Sequence, residues 1–335
     1  MNKIFNISST LLLTAILLLT AACSSDSSND VQPSPTPNNQ KEISIQTGVR
    51  KMAEGTRAAT IDDISALQEQ ELKIDAYYHD TETKYLDGAK LHYDASAWKF
   101  WNSSQVHYYW PIAGSVYTGV EPNITVSSLD FVGFCPYDKP TYIGPPTYNH
   151  STGISFTCDL SSYMTLASQV SMPEYLVAVL NEQTYATQTA AVGGALPLQF
   201  KHPFALIKFV ITAASGTNVK INSISIDDLY TGATCAYNGS AMSWGTYTGN
   251  ATMTITETLK NGGTTEGTPF MVIPNNYSTK TLTVNATWDD WSNVTTNVTA
   301  DVAFNWQAGY IYTYNLTLEK YALKVETTST YTEQW

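Results

Sequence analysis

The sequence predicts an all-β fold of sandwich type, and three observations carry that prediction. Tyr, Thr, Val and Ile are abundant beyond the first forty residues, and these types suit a pleated, half-buried surface. Turn signals recur about every ten residues, the spacing of short antiparallel strands in sandwiches. Period-two alternation of apolar and polar side chains appears at 220–226, 252–256 and 281–288, while the mostly apolar run 204–211 reads as a central strand covered on both faces.

The chain opens on Met1, Asn2 and Lys3, runs through LLLTAILLL (11–19) and reaches Thr20, Ala21, Ala22 and Cys23. A charged start, a short apolar run and small residues before a cleavage point make a secretory signal over 1–22. The run is too short for a membrane span of about 20 residues. Cysteine directly after two alanines resembles the lipobox of bacterial lipoproteins, where it becomes the acylated N-terminus, although Thr20 stands where leucine is usual. An ordinary signal peptide that contains a cysteine is the other reading. Residues 24–40, SSDSSNDVQPSPTPNNQ, hold one large apolar side chain, Val31, and form a flexible tether because they cannot bury a core.

Next, Ile43, Ile45, Thr47 and Val49 alternate with Ser44, Gln46 and Gly48, as in a half-buried strand. The stretch GVRKMAEGTRAAT (48–60) follows and holds Arg50 and Arg57, the two arginines of the whole chain. An arginine-specific protease therefore has targets at these positions alone, and either cut severs the 43–49 strand from the body. Cleavage is expected after Arg57, before Ala58, since the polar 51–55 loop presents it; Arg50, the alternative, adjoins the strand and is shielded by its pairing. Loss of a sheet strand would open an apolar groove with unpaired backbone on its walls, which invites strand addition from another chain. Coincidence in an arginine-poor composition is the competing explanation.

Ile61, Ile64, Leu67 and Leu72 follow helical spacing and predict a helix over 61–73, with Asp62 and Asp63 in its first turn. The stretch AAVGGALP (190–197) reads as a break between two domains, which the length allows. The chain carries a net charge of −12; five basic and four acidic residues lie in the first 57, which leaves twelve basic and twenty-five acidic beyond them, a balance of −13. An acidic surface without a basic cluster argues against nucleic acid as a partner. Of the four cysteines, Cys135, Cys158 and Cys235 lie in the body. Cys135 and Cys158 could bridge in an oxidising compartment, or all three could be buried as small apolar side chains.

Signs of catalysis are sparse. His79, His92, His107, His150 and His202 show no metal-ligand spacing, and no nucleophile elbow, phosphate loop or zinc-protease motif is present. Neither a catalytic residue nor a cofactor or metal is expected. Asp227-Asp228 and Asp289-Asp290 read as turn acids at strand ends rather than as a calcium or glycosidase site. Trp98, Trp101, Tyr108, Tyr109 and Trp110 form either a carbohydrate-stacking face or core packing between strands. After the strand 309–318, Tyr321, Leu323 and Val325 alternate with Ala322, Lys324 and Glu326. Both ends of the body thus carry a short alternating strand, expected to lie outside the compact part.

Several stretches taken in order resemble a known family: GTRAA (55–59), YYWP (108–111), LDFVGFCP (129–136), FKHPFALIKF (200–209), PFMVIP (269–274) and GYIYTY (309–314). The chain resembles the fimbrillins, subunits of type V pili in Gram-negative anaerobes, including their Mfa-like branch, over nearly the whole exported part. The resemblance implies two tandem transthyretin-like β-sandwich domains, at 58–190 and 191–320. It implies a lipidated tether and removable propeptide strand at 23–57, and a donor-strand segment at 321–335 carrying Tyr321, Leu323 and Val325. Implied partners are other pilus subunits, joined by strand addition, an arginine-specific surface protease, and the outer membrane through the lipid on Cys23. The implied place is the cell surface, within a pilus, most simply as a stalk pilin. A tip adhesin, an anchor subunit of the same pilus type, or a cell-surface glycan-binding lipoprotein are the alternatives.

Overall fold

A computed structural model describes residues 41–49, 61, 63–118, 123–213, 219–256, 264–288, 294–319, 322–326 and 331–334. Its longer strands, in chain order, are β1 (Ile45–Gly48), β2 (Leu72–Tyr78), β3 (Lys84–Asp94), β4 (Ala97–Asn102), β5 (Leu129–Cys135), β6 (Gly153–Asp159), β7 (Leu176–Gln183) and β8 (Leu196–Gln199). They continue as β9 (Ala205–Ala213), β10 (Val219–Tyr237), β11 (Met242–Ile255), β12 (Asn276–Trp288), β13 (Thr295–Asn305), β14 (Tyr310–Glu319), β15 (Ala322–Glu326) and β16 (Tyr331–Gln334).

Three sheets and one strand pair hold these elements. The first sheet is antiparallel, in the order β7-β5-β2-β3-β4. The second runs β13-β12-β10-β6, with β11 also paired to β10. In the third, β9 lies parallel to β14, whose other edge carries β15 and β16. The pair is β1 with β8. The all-β sandwich expected from the sequence is the observed fold.

Strand β5 shows how two cores share one sheet. All seven of its residues are buried, and the pleat sends alternate side chains to opposite faces. Leu129, Phe131 and Cys135 join a first core with Ile74, Leu91, Phe100 and Trp110. Val132 and Phe134 join a second, larger core, which also takes Phe209 and Leu316 of the third sheet and Ile224 and Val284 of the second. A strand buried on both faces cannot alternate apolar and polar, which is why LDFVGFC reads as a continuous run.

The division between cores does not follow the boundary expected at 190/191. Leu196, Leu198 and Phe200 lie beyond it yet belong to the first core. Tyr142, Ile154, Phe156 and Tyr175 lie before it and belong to the second, because β6 pairs with β10, Phe156 opposite Cys235. Gly133 lets β8 approach: a Cβ there would come within 2.9 Å of Leu198 and Phe200.

Other expectations are corrected locally. Only Ile64–Gln68 of the expected 61–73 helix is helical, as α1, with Asp63 as N-cap accepting from the Ala66 N–H at 2.9 Å. Leu72 instead starts β2, which buries Leu72, Ile74 and Ala76 in the first core and Tyr77 in the second; tertiary burial on two faces overrides a short helical pattern. Asp227 and Asp228 sit inside β10, at a register shift between Ile226 and Leu229 with Asp228 at φ +59°. They mark a β-bulge, not a strand end, and Lys280 lies 2.6 Å from the Asp228 carboxylate. Asp289 and Asp290 lie outside the described residues. The alternating stretches 220–226 and 281–288 fall in β10 and β12, 252–256 in β11 up to Ile255, and 204–211 in β9 from Ala205 onward.

Cys135, Cys158 and Cys235 are free and buried. Burial pushes the Cys158 thiol up to about 12 and raises those of Cys135 and Cys235 as well, so none supplies thiolate near neutral pH. In a chain starting at Ala58 all three thiols should therefore be silent to a thiol reagent at pH 8 and react fully once guanidinium unfolds the protein. Fewer than three reactive thiols in the unfolded chain, without a reductant, would reveal a disulfide and contradict the assignment.

A strand-insertion groove as candidate functional site

The residues leading into and forming β1 lie between two backbone walls of the body. On one side β1 runs parallel to β8, from Ile45 opposite Leu196 to Gly48 opposite Gln199. The Leu196 N–H donates to the Ser44 carbonyl at 2.8 Å and the Phe200 N–H to the Gly48 carbonyl at 2.9 Å. On the other side the Ile43 N–H donates to the Tyr108 carbonyl at 2.8 Å and the Trp110 N–H to the Lys41 carbonyl at 2.7 Å. Gly48 fits because a Cβ there would sit 2.5 Å from the Gln199 Oε1.

The expected facing set is the buried one. Ile43, Ile45 and Thr47 are 2%, 4% and 5% exposed, and Val49 packs half-buried against the same core. The strand expected outside the body is thus part of the first core. Its fit has one flaw: the Thr47 hydroxyl is buried without a hydrogen-bond partner, which costs about 1–3 kcal/mol.

A glutamine clamps the strand. The short helix α2 (Tyr185–Ala190) is capped by Thr184, whose side chain accepts from the Thr187 N–H, and it buries Gln188. The Gln188 Oε1 accepts from the Ser44 N–H at 3.0 Å and from the Trp110 Nε1–H at 2.9 Å, while its Nε2 donates to the Glu42 carbonyl at 3.1 Å. Strand and wall are thereby tied through one side chain. The wall itself is held from behind: the Trp110 ring packs edge-on against Phe131 at 5.8 Å, and the Tyr85 hydroxyl donates to the Tyr109 carbonyl. Burial raises the Tyr85 phenol well above its usual range, so it remains a donor.

The chain is anchored again at Ile61. That residue is buried, and its N–H donates to the Glu174 Oε2 at 2.6 Å; the Glu174 Oε1 lies 3.1 Å from the His202 Nδ1, both side chains 1% exposed. Arg50, Arg57 and Ala58 belong to the connection between β1 and Ile61 and, like Cys23 and Tyr321, lie outside the described residues.

The C-terminal segment does not stand off the body as expected. Strand β15 pairs with β14, Leu323 opposite Leu318 and Val325 opposite Leu316. Leu323 and Val325 are half-buried against the second core, while Ala322 and Lys324 are exposed. The free edge of β14 accounts for this, since an unpaired edge recruits any alternating strand in reach. The aromatic cluster is mostly packing: Trp110 is buried, the Tyr108 ring packs edge-on against Phe100 at 4.9 Å, and Trp98 and Tyr108 adjoin the first core. Among the described residues no group of three His, Cys, Asp or Glu is placed to hold a metal ion.

Sequence reasoning missed Gln188, β8 and the Glu174 contact. The alternation of Leu196 and Leu198 was the available signal for β8, masked by the Gly-Gly and Pro of 190–197. Nothing local marks Gln188, whose partners are 78 and 144 residues away.

A double β-sandwich closed by a terminal strand is an architecture suited to assembly, and sequence comparison places it in a family. The fimbrillin-like family matches residues 56–335, and the chain belongs to that family. It is therefore a pilus-type subunit of the cell surface, from a structural rather than enzymatic family, whose members engage other pilus subunits. Among solved structures, a candidate cell adhesion protein from Bacteroides ovatus is similar at 13% identity and a TM-score of 0.51, over 86% of this chain and 96% of that one. Another from Bacteroides uniformis gives 16% and 0.48, over 85% and 96%. The tip fimbrial protein Mfa3 from Porphyromonas gingivalis, truncated at its C-terminus, gives 10% and 0.38, over 84% and 97%. No curated protein matches the chain.

The geometry of the groove makes opposite demands on two neighbouring positions. Ile45→Ala should destabilise the uncut chain by about 2–5 kcal/mol in urea unfolding, the range for emptying a buried isoleucine site. Thr47→Val should stabilise it, by up to about 1–2 kcal/mol, because it removes the unpartnered hydroxyl. A loss below about 0.5 kcal/mol for Ile45→Ala, the size of an ordinary surface substitution, would mean that β1 is not part of the core.

Proposed function

We propose that the chain is a stalk pilin. It is exported as a lipoprotein acylated at Cys23, held at the outer membrane, cut after Arg57 by an arginine-specific surface protease, and polymerised by strand exchange. The observation that supports this reading is the seat of residues 41–48. The 41–43 part is hydrogen-bonded to the 108–110 wall and the 44–48 part to β8. Ile43, Ile45 and Thr47 are buried in a core, and the segment that joins the strand to the body contains the chain's only arginines. A cut after Arg57 separates the strand from the body, while the body keeps its hold on Ile61 through Glu174.

The vacated groove then suits the tail of a neighbouring subunit. On its own body, among the described residues, β15 pairs with β14 alone, with Leu323 and Val325 half-buried. In the groove a strand would gain partners on two successive walls and burial of its apolar side chains, at about 0.5–1.5 kcal/mol per hydrogen bond and about 1.5–3 kcal/mol per side chain. A donor with an apolar side chain in the Thr47 position also avoids the unpartnered hydroxyl. Alternation fixes the register, since a one-residue slip would drive Lys324 and Glu326 into the core.

Leu323→Asp combined with Val325→Asp tests the reading. The variant should fold as a monomer with modestly lowered stability, because its tail is an edge strand. After cutting at Arg57 it should stay monomeric by light scattering, while the unaltered cut chain grows into polymers. Polymers of the variant would exclude the tail as donor. Failure of the unaltered cut chain to grow would point to a tip or anchor subunit instead.

A further inference from the structure

A cleft of about 470 Å³ opens on the second sandwich, and none of the residues of β1 or its walls lines it. Beside the buried Tyr237 and Trp306, its aromatic lining includes Trp244 and Tyr247 of β11, both half-buried. The polar tips of these rings are already committed. The Trp244 Nε1–H donates to the Pro203 carbonyl at 2.9 Å, and the Tyr247 hydroxyl donates to the Pro274 carbonyl at 2.9 Å. Their orientation is fixed from behind: Trp244 packs on Phe204 at 5.2 Å, and Tyr247 stacks on Tyr230 at 5.0 Å with an interplanar angle of 27°. The surface left to the cleft is therefore ring carbon, held rigidly.

The rim differs in chemistry. Asn276 and Asn305 face each other across the β12–β13 pair, Gln307 follows, and all three are exposed and line the cleft. Each amide offers both donors and an acceptor. Among the described residues no Asp or Glu lines the cleft, and Lys201 is its one lysine. This is not a site for a polyanion or a cation. A rigid aromatic floor beside a row of two-way amides matches a pyranose ring, which presents an apolar C–H face and a rim of hydroxyls that both donate and accept. The volume suits a ligand of a few sugar units.

We propose that this cleft binds a neutral hexose-containing saccharide, stacked on Trp244 and Tyr247 and hydrogen-bonded by Asn276, Asn305 and Gln307. The site stands independently of strand exchange and lies apart from the 98–110 aromatics, most of which pack into the first core.

The experiment titrates mannotriose, maltotriose and lactose separately into the full-length chain by calorimetry, with saturation-transfer NMR to map the sugar face in contact. At least one should bind with a Kd at or below the millimolar range. Asn305→Ala with Gln307→Ala, both exposed positions, should leave the melting temperature unchanged and weaken that binding about tenfold, as expected for two lost hydrogen bonds. Trp244→Leu, compared at matched folding by circular dichroism, should remove the saturation-transfer signal from the sugar C–H protons. The proposal is overturned if none of the three sugars binds at about 10 mM. It is equally overturned if binding survives both variants, or if a synthetic 321–335 peptide binds the cleft while the sugars do not.

Discussion

One strand held between two walls organises the first half of the molecule. Strand β1 completes a layer over the first core that β8 and the 108–110 segment only frame. The main-chain hydrogen bonds of residues 41–48 to the body are divided between partners about ninety residues apart in sequence. Gln188 bonds the strand segment and Trp110 with the same amide oxygen, and the Trp110 bond is one that does not depend on the strand. Strand exchange as proposed would require the groove to persist on losing β1, and Tyr85, Phe131 and the buried Gln188 are the groups that would brace it.

The two ends of the chain differ in how firmly they are held. Residues 41–48 are bonded to two walls in succession, with Ile43, Ile45 and Thr47 buried; among the described residues β15 is paired with β14 alone, with Leu323 and Val325 half-buried. On the proposed function, a tail that left its own β14 for a vacated groove elsewhere would exchange an edge seat for a more buried one. In the intact chain the groove is filled by a segment at very high effective concentration, since it is covalently attached. The proposed cut after Arg57 would remove that advantage and the orphan hydroxyl of Thr47 together.

Much of this was legible in the sequence, and the reasons for the misses are physical. Alternating stretches identified β10, β11 and β12, because those strands have one covered and one open face. The stretch 129–136 was singled out only through the family resemblance; the reason β5 is buried throughout is that it serves two cores. The alternation at 43–49 predicted which side chains of the N-terminal strand are buried. What failed were inferences that depend on long-range pairing. The Gly-Gly-x-x-Pro stretch 193–197 looks like a linker, but Gly133 leaves room for β8 against the first sheet. The Asp227-Asp228 pair looks like a turn because a bulge uses the same residue types. The tail looked detached because the free edge of β14 cannot be seen from local spacing.

Hydrogen exchange at three backbone amides tests the central claim most directly. The N–H groups of Leu196, Phe200 and Trp110 belong to the body and donate to carbonyls of the N-terminal segment. In the uncut chain all three should be strongly protected. After cutting at Arg57 and separation of the strand, they should exchange rapidly in the monomer and regain protection on polymerisation. Unchanged protection of all three in the cut monomer would contradict the account, since it would mean that their partners do not come from a removable strand.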